Sequence, residues 1–384
     1  MKIVCIATSQ IPSSAANSIQ VMKACQALAQ LGHPVHLLVP GKEGVSWEKL
    51  AMHYGLETRF DIQWLPSTPR LRRYDFSLRA VLRARSLKSD LAYIWPLQAA
   101  VFALLWRMPV LLELHGPPEG RFGPALFRLF LKLRPVLRNG VLGNKRCLPI
   151  TGALADYLER VYRYRFSPGE VVISPNGVDL ERYRGLPEPR EARRQLGLPE
   201  KLTAGYTGHL YAGRGMGLLL ELARSFPLVQ FVWVGGRPED VAEWKRRLSG
   251  EDISNVSLLG FIENSQLPLY QAAADILLMP YERVITGSGG GNSAEYCSPM
   301  KMFEYMACGR AILSSDLPVI REVLNESNSI LCPPEDAPAW VKAFSELASD
   351  PQKIAALGTV ARKEAEQFTW KGRAQRALEG FLGG

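Results

Sequence analysis

The sequence has few cysteines and histidines, and neither type is spaced as in a disulfide framework or a metal site. The six cysteines are scattered along the chain, and no two of them have the CxxC spacing. Isolated cysteines are most often small buried hydrophobic side chains. We therefore expect no disulfides and no zinc site, and the sequence indicates no cofactor or metal requirement.

The sequence also predicts neither a secretory leader nor a membrane-spanning segment. The chain opens with a strand-like apolar run, residues 1–7, and not with a basic segment followed by a long hydrophobic one. The longest apolar stretch, residues 91–106, is too short or too interrupted to cross a bilayer. We expect a cytoplasmic protein, in which any membrane contact is peripheral and at the inner face.

Low-complexity tracts are absent, and the composition is that of a folded protein. Of the 384 residues, 47% are hydrophobic and 22% are charged. A chain of this length is too long for one ordinary hydrophobic core. It suits two α/β domains.

Positive charge is concentrated in the first half of the chain. The net charge is +9, and residues 1–184 contain 25 Lys and Arg against 13 Asp and Glu. Within residues 70–146 the count is 15 against 4. Such a region favours an anionic partner, such as a membrane or a lipid-linked glycan, or it is a solvated basic face. We expect no nucleic acid, because no recognition motif supports one.

An amphipathic run, residues 126–134, lies inside this basic region. Arg128 and Lys132 are four residues apart, so a helix would place them on one face. Pro135 should end or kink that helix. The pattern is that of a helix lying on an anionic membrane, or of a core helix whose cations extend to solvent.

Short apolar runs alternate with amphipathic stretches along the whole chain. The predicted strands are residues 2–8, 35–39, 91–95, 110–114 and 148–151, followed by 203–206, 230–234, 256–259, 276–279 and 311–314. Continuous apolar strands separated by helices are typical of parallel sheets covered on both faces. The two series predict two doubly wound, Rossmann-like α/β domains facing across a cleft.

The proline-rich stretch 186–189 marks the predicted join between the domains. We expect an N-terminal domain over residues 1–186 and a C-terminal domain over residues 187–367. Ligands of such folds bind beyond the carboxyl ends of the strands, so we expect the site in the cleft.

The densest motif is SPMKMFEYMACGRAI, residues 298–312. Pro299 suits the first turn of a helix, and Gly309 suits its C-terminal cap. The apolar residues 300, 303 and 306 share one helical face, and Glu304 lies between them. The N-terminus of such a helix offers free N–H groups to a phosphate.

This segment resembles the signature helix of family 4 of the retaining glycosyltransferases, through the sub-pattern SPxKxFEYMAxG. Further similarity lies in residues 27–35, 174–179, 267–275 and 368–374, so the resemblance covers essentially the whole chain. It implies the GT-B fold, with a nucleotide-sugar donor bound by the C-terminal domain and an acceptor bound by the N-terminal domain. It also implies that the last helix, about residues 368–384, crosses back onto the first domain.

The resemblance assigns Glu304 to the glutamate that holds the donor ribose hydroxyls. A carboxylate can accept hydrogen bonds from two vicinal hydroxyls, so the role makes chemical sense. The further donor contacts that we predict are Ser298, Pro299, Met300 and Lys301 at the start of the helix, and Gly260 and Phe261 on a neighbouring loop.

One position departs from the family pattern. Many members carry a further glutamate, separated from the second one by seven residues, and that position is Tyr296 here. Either Glu295 reaches the donor sugar from a shifted loop, or backbone groups around residues 296–298 do so. Just upstream, residues 286–292 are rich in glycine and form either a flap over the donor or a flexible link.

A second glycine-rich loop follows the predicted strand 203–206. By its own spacing it lacks the GxGxxG and downstream acid of a nicotinamide site. In the resembling family this loop supplies two basic residues to the donor diphosphate. Arg214 fits the second position, and His209 stands where arginine is usual. Positive charge here would stabilise the leaving nucleotide diphosphate without a metal.

His115 follows the predicted strand 110–114 and precedes a glycine and two prolines. It therefore sits at a carboxyl end, where the cleft is expected, and the family has a histidine near the reacting sugar at this point. An imidazole can accept a hydroxyl hydrogen bond, and an imidazolium can support developing charge. A structural cap of the loop is the alternative role. Glu113 is a weaker candidate.

The first loop, residues 10–18, has small side chains where family members often have a glycine-rich turn. Ser14, Ala15 and Asn17 would allow close approach of an acceptor or a phosphate. An ordinary helix N-cap at Asn17 or Ser18 is the interpretation that we favour.

Together these features predict a metal-independent, retaining glycosyltransferase with His115, Arg214 and Glu304 as its catalytic set. It would act on a glycan or lipid-linked acceptor in cell-surface polysaccharide or glycolipid synthesis. Retention is implied by the resemblance alone. The alternatives are a nucleotide-sugar epimerase of the same fold and a catalytically degenerate scaffold that binds nucleotide or membrane.

Overall fold

The structure, a computed structural model, describes residues 1–42, 44–71, 73–133, 144–285 and 292–381. The chain divides into two compact units, unit 1 (Met1–Asn176 and Trp370–Gly384) and unit 2 (Gly177–Thr369). The predicted break at Pro135 and nearly all of the glycine-rich stretch 286–292 lie outside the described residues.

Each unit contains one six-stranded parallel sheet. The strands of unit 1 are β1 (Ile3–Ile6), β2 (Val35–Pro40), β3 (Asp61–Leu65), β4 (Leu91–Ile94), β5 (Val110–Leu114) and β6 (Lys145–Pro149). Those of unit 2 are β7 (Thr203–Thr207), β8 (Gln230–Val234), β9 (Val256–Gly260), β10 (Ile276–Met279), β11 (Ala311–Ser315) and β12 (Ile330–Cys332).

Helices connect these strands. In unit 1 they are α1 (Ala16–Gln30), α2 (Trp47–Tyr54), α3 (Tyr74–Ser86), α4 (Leu97–Leu105), α5 (Gly123–Lys132) and α6 (Gly152–Tyr162). In unit 2 they are α7 (Pro189–Leu196), α8 (Met216–Ser225), α9 (Pro238–Gly250), α10 (Leu267–Ala272), α11 (Met300–Cys308), α12 (Ala337–Ala348) and α13 (Pro351–Glu364). The last helix, α14 (Trp370–Leu378), belongs to unit 1.

The two sheets have the same strand order. It is β3-β2-β1-β4-β5-β6 in unit 1 and, counted in the same sense, β9-β8-β7-β10-β11-β12 in unit 2. Both follow the doubly wound pattern in which the strand order reverses beside the first strand. The predicted pair of Rossmann-like sheets is confirmed. The reversal points lie between β1 and β4 and between β7 and β10, where ligands of such folds bind.

All ten predicted strands are present, and two strands were not predicted. Both additional strands, β3 and β12, lie at sheet edges. No residue of β3 is buried, and β12 has only three residues. An edge strand contacts neighbours on one side only, so neither sequence needs the continuous apolar run that marks a central strand.

The central strands are buried because helices cover both faces. In unit 2 the core between sheet and helices is built around Trp233 on β8, Trp340 and Phe344 on α12, and leucines of α8. In unit 1 every residue of β1, β4, β5 and β6 is buried. These cores fix the strand ends that carry the candidate residues.

The predicted domain boundary at residues 186 and 187 differs from the observed division at residues 176 and 177. The intervening segment packs into unit 2, because the buried Tyr183 donates a hydrogen bond to Gln271, O to O 2.8 Å. Its start is held by a bond from Val178 N to Phe368 O at 2.9 Å. The proline-rich stretch 186–189 is not the domain boundary; its last residue, Pro189, is the first residue of α7.

The predicted N-cap of the first helix is wrong. The N-cap is Ala15, which makes no side-chain cap bond, and α1 begins at Ala16. The Ser18 hydroxyl instead donates back to Ser13 O at 2.6 Å. In the motif helix, Pro299 is the N-cap just before Met300, while Gly309 forms the predicted left-handed C-cap.

Candidate functional site

The loop after β7 is held close to the end of β10. The Glu282 carboxylate accepts hydrogen bonds from the backbone N–H groups of Gly213 and Gly215, at 3.1 and 3.2 Å. A Cβ on Gly215 would lie 1.6 Å from Pro280 O, and its φ is +71°, so only glycine fits there. The loop that carries His209 and Arg214 is therefore fixed at the strand reversal of unit 2.

Arg214 is half-buried among aromatic side chains. Its Nη2 donates to Tyr211 Oη at 2.7 Å, and its guanidinium carbon lies 5.2 Å from the centroid of the Tyr281 ring. The Nε atom is buried and has no hydrogen-bond partner among the described residues. Burial opposes the charge of Arg214, but nearby tyrosine oxygens outweigh it and raise the pKa of the guanidinium.

Lys301, on the first turn of α11, also faces Tyr281. Its Nζ lies 4.0 Å from the ring centroid of Tyr206 and 5.4 Å from that of Tyr281. Among the described residues, neither Lys301 nor Arg214 forms an ion pair with a carboxylate. Burial, and then the charge of Arg214, hold the pKa of Lys301 well below its ordinary value. Two basic side chains are thus held near each other, with no anion between them among the described residues.

His209 is a neutral member of this cluster at pH 7. Burial, followed by the charges of Arg214 and Lys301, lowers the pKa of its imidazole to about 4. Its ring stacks on Tyr211 with centroids 5.1 Å apart. The positive charge of the cluster therefore comes from Arg214, and a bound anion would favour the charged form of Lys301. Neutral His209 offers one N–H donor and one acceptor nitrogen for hydrogen bonds.

Glu304 lies one turn further along α11 and is held by Gln271. The buried Gln271 Nε2 donates to Glu304 Oε2 at 3.1 Å and to Thr207 Oγ1 at 3.3 Å. Its Oε1 accepts the bond from Tyr183. Tyr305 closes the network by accepting from Thr207 N at 2.8 Å. Among the described residues one oxygen of Glu304, Oε2, has a hydrogen-bond partner, so Oε1 is available to a ligand.

Of the remaining predicted donor contacts in unit 2, some are packed near the cluster and others are exposed. Gly260 accepts from Gly235 N at 2.7 Å, and Gly235 packs against Gly208 at the start of the same loop. Ser298 is buried at the start of α11. Phe261 is exposed, and Glu295 is an exposed residue of a short 3-10 turn, Ser293–Glu295. The Asn292 side chain caps that turn by accepting from Ala294 N at 3.1 Å.

In unit 1, His115 stands directly at the carboxyl end of β5. Its Nε2 is 3.0 Å from Oε1 of the buried Glu113. Glu113 also accepts from Tyr93 Oη at 2.5 Å and from Arg373 on α14. His115 is thus the half-buried end of a buried polar network.

The first loop of unit 1 follows β1 at the strand reversal. Ser14 and Asn17 are exposed and Ala15 is half-buried. The loop is held by Tyr54, whose hydroxyl accepts from Ser13 N at 2.7 Å. Within the described residues, no three His, Cys, Asp or Glu side chains are grouped as a metal site. No described helix is both long and apolar enough to cross a membrane.

The structure therefore brings His209, Arg214, Lys301 and Glu304 together in unit 2. The sequence patterns alone predict no role for Gln271, Tyr206 and Tyr281, or for Arg373 beside Glu113. Gln271 and Arg373 lie within segments already similar to the family, but their partners are distant in sequence. Only the folded structure shows that Gln271 binds Glu304 and that Arg373 binds Glu113.

Two family models match the chain. The one described as "Glycosyltransferase Family 4" matches residues 18–182, and the one described as "Glycosyl transferases group 1" matches residues 201–350. Together they cover more than half of the sequence.

Curated relatives are similar over part or most of their length. The D-inositol 3-phosphate glycosyltransferase of Kineococcus radiotolerans is 24% identical over 250 residues, which are 59% of this chain and 54% of the relative. The chain thus spans about half the length of that relative. The GDP-mannose-dependent alpha-(1-6)-phosphatidylinositol monomannoside mannosyltransferase of Mycolicibacterium smegmatis is 27% identical over 307 residues, 76% of each protein.

Solved structures share the fold at low sequence identity. Sucrose-phosphate synthase from Thermosynechococcus elongatus has a TM-score of 0.73 and 18% identity, covering 98% of this chain and 96% of that one. Anabaena HepE in complex with UDP has a TM-score of 0.72 and 18% identity, covering 99% of both. These likenesses show the GT-B fold. By its two family matches and this fold, the chain belongs to the group 1, family 4 glycosyltransferases.

Proposed function

We propose that the protein is a retaining, metal-independent glycosyltransferase. Unit 2 binds a nucleoside-diphosphate sugar, and unit 1 binds a glycan or lipid-linked acceptor. The observation that carries this proposal is the pair of basic side chains, Arg214 and Lys301, that have no carboxylate partner among the described residues and lie beside Glu304.

A diphosphate is the ligand that fits this pair. Burial disfavours the charged form of both side chains, and the charge of Arg214 further disfavours a charged Lys301. An anion contacting both would remove the repulsion and accept charge-assisted hydrogen bonds. The unpaired Nε–H of Arg214 and the single ring N–H of neutral His209 supply further donors. A diphosphate has enough oxygens for all three side chains.

Glu304 supports the nucleoside half of the same donor. Gln271 orients the carboxylate through Oε2 and leaves Oε1 for ribose hydroxyls. The buried amide of Gln271 is itself fixed by hydrogen bonds to Tyr183 and Thr207. It therefore holds the Glu304 carboxylate in one orientation before the nucleoside binds. Such preorganisation lowers the ordering cost of binding.

The chemistry that follows is a displacement in which the diphosphate leaves. Arg214 and Lys301 stabilise the charge that develops on the leaving oxygen, with the N–H groups at the start of α11. The leaving phosphate takes the proton of the acceptor hydroxyl. His115 accepts or donates a hydrogen bond at the reacting sugar. The family resemblance supports retention of the anomeric configuration, and no distance in the structure bears on it.

The acceptor side of the proposal includes an anionic lipid surface. Unit 1 has an open apolar groove of about 600 Å³ between the 3-10 turn Pro69–Leu71 and α5. Leu71, Phe122 and Leu129 line it with 54%, 52% and 41% of their surface exposed. The exposed Arg70 and Arg121 flank the same groove. Apolar side chains ringed by arginines match acyl chains beneath anionic headgroups, so we propose peripheral contact with an anionic phospholipid bilayer.

The test of function is product analysis with UDP- and GDP-sugars, in EDTA, with glycan and lipid-linked acceptors. Proton NMR of the product gives the anomeric configuration. A product with the configuration of the donor supports the proposal, and an inverted product contradicts retention. A changed sugar without any acceptor would instead indicate an epimerase. Nucleotide binding with no turnover on any acceptor would indicate a scaffold.

A further inference from the structure

A buried ionic network lies behind His115, and the C-terminal helix completes it. Arg373 on α14 is 2% exposed, and Glu113 on β5 is equally buried. The Arg373 Nη2 donates to Glu113 Oε1, and its Nη1 donates to Tyr93 Oη at 2.9 Å. The same Oε1 accepts from Gln20 Nε2 at 3.1 Å and lies 3.0 Å from His115 Nε2.

Arg373 is the group that keeps this carboxylate ionised. Burial alone would favour the protonated acid. The charge of Arg373, with hydrogen bonds from His115 and Tyr93, outweighs burial and lowers the pKa of Glu113. Glu113 in turn helps to raise the pKa of Arg373, so the two ionised forms support each other. Without the cation, Glu113 would be a buried carboxyl surrounded by neutral donors.

An ionised Glu113 determines which nitrogen of His115 carries the proton. A carboxylate only accepts hydrogen bonds, so the ring nitrogen facing it, Nε2, must be the N–H. The neutral imidazole then has an unprotonated Nδ1. Among the described residues Nδ1 has no hydrogen-bond partner, and the side chain is 31% exposed. His115 therefore presents an acceptor to solvent and to any ligand there.

We propose that Arg373 is a positioning residue for His115, acting through Glu113. By holding the carboxylate ionised, it fixes the Nε2–H tautomer and directs Nδ1 toward a hydroxyl of the reacting sugars. The last helix of the chain then contributes to the reaction site and not only to packing. The catalytic consequence rests on the proposed transferase function, whereas the tautomer does not.

Nitrogen-15 NMR of the folded protein tests the tautomer without turnover. The chain has five histidines, and a His115→Asn variant assigns the His115 signals. At pH 8 we expect a protonated Nε2 and an unprotonated Nδ1. In Arg373→Met we expect the Nδ1–H form to appear, because a protonated Glu113 would donate to Nε2. Lys371→Met, an exposed position on the same helix, should leave the spectrum unchanged.

Two further variants keep the test decisive if Arg373→Met does not fold. Arg373→Gln removes the charge but can still donate hydrogen bonds, and it should also shift the tautomer. Arg373→Lys restores a cation and should restore the Nε2–H form. A folded neutral variant with the wild-type tautomer would overturn the inference.

Kinetics then separate positioning from mere packing. Arg373→Gln should lower kcat roughly 10- to 100-fold, with little change in KM for the donor. In a His115→Asn background, Arg373→Gln should lower kcat little further, because the imidazole that Arg373 positions is absent. An equal loss in both backgrounds would contradict a role through His115. If the wild type turns over no donor, the proposed function fails, and the NMR result still decides the tautomer.

Discussion

Arg373 and Glu113 form a buried ion pair across 260 positions of sequence, which ties the last helix to the central sheet of unit 1. Removing one partner of such a pair leaves a buried group that either keeps an uncompensated charge or is neutralised at a cost in free energy. We therefore expect Arg373→Met to lower the free energy of unfolding of unit 1 by about 3–5 kcal/mol. Denaturant unfolding followed by tryptophan fluorescence measures it, with Lys371→Met as the matched control.

The pH dependence of this pair has a defined sign. The pKa of Glu113 is lower in the folded protein than in the unfolded chain. The stabilisation is therefore complete above the unfolded value, about 4.3, and is lost as pH falls through the folded value. Arg373→Met should be less sensitive to acid in this window than the wild type. Equal acid sensitivity would count against the ionised pair.

His209 should make unit 2 less stable as the solution becomes mildly acidic. Its pKa is about 4 when folded, against an ordinary value of 6.5, so the unfolded chain binds the proton first. Stability is complete above pH 6.5 and is lost down to about pH 4, with a slope of up to about 1.4 kcal/mol per pH unit. Unfolding of wild type and His209→Gln at several pH values measures the difference. Parallel curves would show that His209 is not desolvated.

Lys301 should matter for the phosphates and not for the base. Hydrogen bonds to charged groups contribute about 1.5–3 kcal/mol, so Lys301→Ala should weaken nucleoside diphosphate binding by roughly 10- to 100-fold. The affinity for the free nucleoside should stay the same. Arg246→Ala, at an exposed site on α9, is the control for net charge. An equal loss for nucleoside and diphosphate would place Lys301 away from the phosphates.

The apolar groove of unit 1 should direct membrane binding. We expect the protein to sediment with vesicles containing phosphatidylglycerol and not with phosphatidylcholine vesicles. Phe122→Ser should reduce binding severalfold, because the exposed ring loses its apolar contact. Leu228→Ser, on an 83% exposed leucine of unit 2, is the matched control. Equal binding to both kinds of vesicle, or unchanged binding of the Phe122→Ser variant, would contradict the proposed membrane-binding surface.

Much of this arrangement follows from local sequence, and the rest depends on tertiary contacts. Buried parallel strands are continuous apolar runs, so β5, β8 and β10 could be predicted residue by residue. The edge strand β3 could not, because its side chains are not buried.

The candidate site also contains residues that motifs predict and contacts that only the fold shows. Glu304 and Arg214 are visible in motifs that keep a fixed spacing along one loop or helix. The partner of Glu304 is Gln271, 33 residues earlier, and nothing in either segment indicates the pairing. The neutral state of His209 depends on burial and on Lys301, which comes from another element. Such properties arise only when the sheet brings the loops together.

Calorimetric binding of nucleotides in EDTA tests the donor site most directly. Wild type and Glu304→Ala are titrated side by side with UDP, GDP and ADP and with their sugar conjugates. We predict that at least one diphosphate binds without metal and that Glu304→Ala weakens it by tenfold or more, as expected for a lost charge-assisted contact. If no nucleotide binds the wild type, or if Glu304→Ala binds equally well, the assignment of the donor site is wrong.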